Sequence, residues 1–251
     1  MPTDIYIGLD GTGPGNDATY TAKFENSHVH TFHKLWSGGA SHYHRGPTNM
    51  GLQTGPMSVW ATSTAKAAMQ AAGGEGRLFL CGFSRGGAIA ISAARWLEMD
   101  GIPVRHLMLF DAVDRSPVPG LDRIPDNVEV CSHARRDPKA GSREMFGNCG
   151  TTHGPNTSYR ERPFFCSHGA VGGTPWTEAN ESGKVQEIGR AASAAGLGVS
   201  VSPVVPVHER GDLAGKVAVN TYTNVTLKDE RAGAQASFMW MREQLGETRL
   251  G

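Results

Sequence analysis

The stretch from Leu78 to Ala88 constrains this chain more than any other. Leu78-Phe79-Leu80-Cys81-Gly82-Phe83 is an unbroken apolar run, the pattern of a strand buried on both faces of a parallel sheet. Directly after it, residues 86–100 place Ile89, Ala93, Trp96 and Leu97 on one face of a helix. Between the two lies Gly82-Phe83-Ser84-Arg85-Gly86, a G-x-S-x-G pentapeptide. A sharp strand-to-helix turn with small residues on both sides lets a serine project its hydroxyl without a clash. The helix N-terminus also brings free N–H groups and positive dipole to that hydroxyl, as an oxyanion requires. The pattern therefore reads as a nucleophile elbow carrying Ser84. The plainer alternative is a glycine-rich turn with a capping serine.

The rest of the chain supplies a sheet for this elbow. Ile5–Asp10, Val104–Phe110 and Val128–Cys131 are short apolar strands, and Met57–Ala72 has helical spacing closed by Gly73-Gly74. This order predicts an α/β fold: a doubly wound, mostly parallel sheet flanked by helices, in a single domain over 1–251. Thr31–Trp36 reads as a further strand, residues 37–56 as a long loop, and Glu178–Ala195 as a helix. Lys216–Leu227 alternates Val and Thr as a hairpin or edge strand would, and Glu230–Leu245 closes the chain as a helix. Residues 191–207 are apolar but broken by Gly196, Gly198, Pro203 and Pro206, and give a choice between a coil on the core and an apolar flap.

Lys+Arg and Asp+Glu are both 24, so the chain lacks the one-sided charge that nucleic acid selects. No basic, apolar leader opens it, which predicts a cytoplasmic protein or one exported without a signal peptide. Cys81 and Cys131 lie in apolar runs and read as buried thiols, while Cys149 and Cys166, in glycine-rich loops, leave a disulfide open. His28, His30, His33, His42 and His44 read as a solvated loop rather than a metal site. Gly11-Thr12-Gly13-Pro14-Gly15 fits neither nucleotide-loop pattern. No metal or organic cofactor is expected.

A serine nucleophile needs a base and an acid, which follow it along the chain in this kind of fold. His168 sits where an apolar approach, Phe164-Phe165-Cys166, meets the flexible Gly169–Gly173. It is the first choice of base, with His133 and His153 as alternatives; His106 falls at the wrong end of its strand. Asp111 ends the run Val104–Phe110, at the sheet edge where active-site groups gather, and Asp137 is the alternative acid.

Several blocks together resemble a known family. Leu9-Asp10-Gly11-Thr12, Tyr43-His44-Arg45-Gly46-Pro47, Gly82–Ala88, Phe110-Asp111-Ala112-Val113, Val130–Arg143 and His168…Val171-Gly172-Gly173 look like the α/β-hydrolase family that includes the first class of type VI secretion lipase effectors, which are phospholipases. The blocks keep the family's order over roughly residues 5–173. They depart from it at Ala170, where the family has Asp, and at Gly13, where it commonly has Trp. The resemblance implies Ser84 as nucleophile, Asp111 as acid and His168 as base. It also implies the turn Asp10-Gly11-Thr12 as an oxyanion and substrate-edge loop, and the elbow itself adds the Arg85 N–H to Gly11 and Thr12 as an expected oxyanion donor. The implied substrate is a lipid or related acyl ester at a membrane surface, and an effector would bring a cognate immunity or delivery protein. A short-chain or polymer esterase and a non-catalytic binding protein are the rival readings.

Overall fold

Strands that are apolar on both sides need helices on both faces, and that requirement organises the molecule. The computed structural model describes residues 3–48, 53–114, 120–143, 146–189, 219–246 and 249–251. The elements run β1 (Asp4–Leu9), α1 (Asp17–Phe24), α2 (His28–Leu35), β2 (Ser41–His44), α3 (Thr54–Ala71), β3 (Arg77–Phe83), α4 (Arg85–Met99), β4 (Val104–Phe110) and β5 (Val128–Arg136). After a 3-10 turn at Pro138–Ala140 come β6 (Ser158–Phe164), α5 (His168–Val171), β7 (Lys184–Gly189), β8 (Val219–Thr226) and α6 (Leu227–Leu245). The first six strands form one sheet in the order β2-β1-β3-β4-β5-β6, and every pair in it is parallel. This is an α/β-hydrolase-like architecture.

Alternate residues of each strand feed two cores. Ile5, Ile7, Leu9, Leu78, Leu80, Leu107 and Leu109 pack beneath α3 and α4. Tyr6, Phe79, Cys81, Phe83, Met108 and Phe110 face α1, α2, α5 and α6 on the other side. The strand order reverses between β1 and β3, and beyond the carboxyl ends of such a pair is where parallel sheets gather their functional groups. The turn Asp10–Gly13 leaves β1 there, and Ser84 leaves β3 beside it. A separate antiparallel pair, β7 and β8, packs Val185 and Val225 against Ala140.

Several expectations need correction. Thr31–Trp36 is not a strand: Ser27 caps α2 through the His30 amide, and Val29 and Phe32, one turn apart, fill the core. The supposed loop 37–56 contains β2 and the start of α3. In place of the helix expected over Glu178–Ala195 stands a tight turn feeding β7. Asn180 Oδ1 accepts from the Ser182 and Lys184 amides at 3.0 Å, and Gly183 takes a φ of 73°. Residues 190–195 of that range, and all of 191–207, lie outside the described residues. The strand expected near the C-terminus is β8, and the final helix is α6. Cys149 and Cys166 are buried free thiols. Among the described residues no helix is long and apolar enough to cross a membrane.

Candidate active site

The elbow is built from close packing. A methyl group on Gly82 would strike the Gly86 carbonyl, and one on Gly86 would strike the carbonyls of Leu9 and Asp10, so only glycine lets α4 begin this near the sheet. Ser84 itself takes φ 56° and ψ −126°, a conformation that costs an L-residue of order 1–3 kcal/mol and persists only where the surroundings enforce it. Three backbone bonds enforce it. The Ser84 amide donates to the Phe110 carbonyl at 3.0 Å, and the Ser84 carbonyl accepts from Gly87 at 3.0 Å and Val113 at 3.1 Å.

From this position Ser84 Oγ lies 2.9 Å from His168 Nε2. His168 Nδ1 lies 2.6 Å from Asp111 Oδ2. An ionised carboxylate only accepts, so Nδ1 carries the proton and Nε2 is left to accept from the serine hydroxyl. Asp111 follows β4 at φ 45°, is fully buried, and donates its own amide to Ala134 O at 2.7 Å. Burial works to raise its pKa. The Arg136 guanidinium and the His168 hydrogen bond outweigh burial and hold the carboxyl well below the usual range.

Arg136 closes the back of this chain. Its Nη1 reaches Asp111 Oδ2 at 2.7 Å, while Nε and Nη2 donate to the carbonyls of Ser142, Arg143 and Phe146. The imidazole is wedged between Phe83, at 5.1 Å between ring centres, and the edge-on ring of Phe146 at 5.3 Å. Two buried carboxylates fix the short helix α5 that carries it. Glu230, on α6, accepts from Ser167 N, Ser167 Oγ and Trp176 N. Glu187, on β7, accepts from Ser142 Oγ, and that same hydroxyl oxygen accepts the His168 amide at 2.7 Å.

The turn after β1 stands on the other side of the serine. A methyl group on Gly11 would lie 3.2 Å from Ser84 Cβ. Asp10 is buried and takes the Gly11 amide at 2.9 Å, the Tyr43 hydroxyl at 3.0 Å and the Ser27 hydroxyl. Burial pushes its pKa up to about 7 against the pull of those three donors. Tyr20 donates to the Gly11 carbonyl at 2.8 Å. With its N–H committed to Asp10, Gly11 is no oxyanion donor. The amides of Thr12 and Arg85 have no hydrogen-bond partner among the described residues. The Arg85 side chain turns away to Asp114, with 3.4 Å between Nε and Oδ1.

The structure thus brings Ser84, His168 and Asp111 together, with Gly11 against Ser84, Arg85 next to it in the chain, and Thr12 following Gly11 in the turn. It does not bring the alternatives. His133 accepts the Ala112 amide at 3.1 Å, and His153 stacks on Tyr159. Asp137 caps the 3-10 turn through the Lys139 amide. The histidines read as a solvated loop are split between α2 and β2. His28 is buried against Ala234 O, and burial lowers its pKa to about 4. His30 and His33 stack on Tyr43. Sequence reasoning passed over Arg136, Glu187 and Glu230. Arg136 lies within the Val130–Arg143 block, whereas Glu187 and Glu230 act across 45 and 63 residues and leave no local pattern.

No protein-family model matches this chain, and no curated protein matches it either. The family resemblance therefore rests on the quoted motifs alone. Among solved structures, it is similar to the RedJ thioesterase of the prodiginine biosynthetic pathway in Streptomyces coelicolor. The match has 14% identity and a TM-score of 0.37, and covers 68% of this chain and 85% of that one. So loose a likeness leaves substrate and mechanism to the site itself.

Proposed function

We propose that this chain is a serine hydrolase that cleaves carboxylic esters of lipid or phospholipid type through an acyl-enzyme. The observation that carries the reading is the strained Ser84 with its hydroxyl 2.9 Å from an imidazole whose other nitrogen is held on a buried carboxylate. Neither a capping serine nor a binding module has use for that arrangement.

In the first step His168 Nε2 takes the Ser84 proton as Oγ attacks the ester carbonyl. Asp111 keeps the imidazole in the needed tautomer and stabilises its charged form, while Arg136 keeps Asp111 ionised. The Thr12 and Arg85 amides bind the developing oxyanion, each contributing about 3–4 kcal/mol to the transition state. His168 then returns its proton to the departing alcohol, and water, activated by the same imidazole, releases the acid. No metal or organic cofactor has a part in this scheme.

The acyl assignment draws on the family resemblance and on the apolar rings of Phe83 and Phe146 beside the imidazole. On this reading the partners are an acyl ester and a membrane surface, and an effector would also meet a cognate immunity or delivery protein. A panel of esters graded by chain length, with and without phospholipid vesicles, tests it. Expected is turnover that rises with acyl length or with vesicles. Turnover confined to short soluble esters would make the chain a short-chain esterase, and none on any ester would leave a binding protein.

A further inference from the structure

The end of the sheet away from Ser84 carries a second concentration of charge. A cavity of about 180 Å³ opens between the first halves of β3–β6 and the C-terminal end of α6, lined by Phe79, Arg105, His106, Arg160, Gln244 and Arg249 among others. Three guanidinium groups converge on it, and the carboxylates that meet them are already divided. Asp4 is shared by Arg249, at 2.8 Å, and Arg77, at 2.5 Å. Glu129 pairs with Arg105 at a half-exposed position. Arg160 has only the neutral Gln244 amide oxygen, at 2.8 Å, and no carboxylate partner among the described residues.

The floor of the cavity records the surplus. His106 is buried with Nε2 2.9 Å from Ser132 Oγ. Burial lowers its pKa to about 3, and Arg160, Arg249 and Arg105 all push in the same direction. The Arg249 guanidinium lies over the Phe79 ring, 5.0 Å from its centre, so its plane is held in place rather than free in solvent. Guanidinium forks lining one cavity above a buried floor are the chemistry that selects a multivalent oxyanion.

We propose that this cavity binds a phosphate dianion, either free inorganic phosphate or the terminal group of a phosphomonoester. Arg160 is the main ligand, flanked by Arg105 and Arg249. The site stands at the opposite end of the strands from Ser84 and is independent of the hydrolase reading.

Thermal shift and calorimetric titration of the whole chain with sodium phosphate, at fixed ionic strength, test it. Expected is a saturable rise in Tm that sodium chloride does not give. Arg160→Gln weakens the apparent Kd on the order of tenfold, as loss of one charge-assisted fork predicts. Ser84→Ala leaves the Kd unchanged. Glycerol phosphate distinguishes the two sources: tighter binding than phosphate assigns a phosphomonoester, weaker binding assigns the free ion. Arg105→Gln, at a half-exposed side chain, is the second variant should Arg160→Gln fail to fold. An unsaturated response, an equal response to chloride, or an unchanged Kd in the folded arginine variants overturns the proposal.

Discussion

A carboxylate as deeply buried as Asp111 is tolerable only because the Arg136 guanidinium matches its charge and the His168 imidazole donates a hydrogen bond to it. Arg136 also fills three backbone carbonyls, so it ties β5 to the loop that follows. Arg136→Met removes those bonds and leaves Asp111 facing a cavity without its cation. Loss of one partner of such a pair costs about 3–5 kcal/mol, to be read from urea unfolding at neutral pH. Because Asp111 has a lowered pKa in the folded state, its stabilisation is present above about pH 4 and is lost as the pH falls further. The gap between wild type and variant should therefore narrow in acid. A gap that stays constant with pH would mean that Arg136 acts by packing alone. Ser84, Asp111 and His168 were each legible because their positions follow from local rules, at the ends of apolar runs and beside glycine. Arg136 obeys no such rule: at the end of a strand it looks like any exposed cation, and only the fold puts it behind the acid.

Elements that deliver side chains to the site are held by buried carboxylates at long range. Glu230 links α6 to α5 through three donors, so Glu230→Ala leaves three N–H or O–H groups unmatched. Each costs about 1–3 kcal/mol where water cannot replace it, and kcat should fall because α5 positions His168. Full activity in a folded Glu230→Ala protein would show that α5 is fixed by other contacts. Asp10 joins β1, α2 and β2, and its raised pKa gives the opposite pH signature to Asp111. Between about pH 4 and about pH 7 the folded state binds the proton that the unfolded state has lost, so stability declines as pH rises through that window. Relative to wild type, Asp10→Asn should gain in Tm from pH 5 to pH 8. A difference that is flat with pH would mean that Asp10 is already ionised in the folded state at pH 5.

The element assignments that failed did so for visible reasons. Thr31, Phe32, Leu35 and Trp36 have strand-forming character, but Ser27 offers an N-cap and Val29 and Phe32 share one helical face, and these prevail. Composition and spacing over Glu178–Ala195 suggest a helix, yet Asn180 and Gly183 make a turn that a helix cannot accommodate. Glu187, on the strand that follows, reaches the site through Ser142.

The described residues fold around a six-stranded parallel sheet, whose order reverses between β1 and β3. That reversal sets the elbow and the Asp10–Gly13 turn side by side at the carboxyl ends of the two strands. The sheet was legible because strands buried on both faces are continuous apolar runs. β2, β6 and β7 were not, since short or charged strands carry no such mark, whereas β8 shows in the alternation of Val and Thr. On the proposed mechanism Ser84 and His168 act as one chemical unit. Steady-state ester hydrolysis by Ser84→Ala, His168→Ala and the double variant, all confirmed folded, measures this directly. Each single variant should lose turnover by a similar large factor and the double variant should be no slower than either, because members of one unit do not lose rate additively. Near wild-type turnover in Ser84→Ala, or a double variant slower by the product of the two single losses, would contradict it.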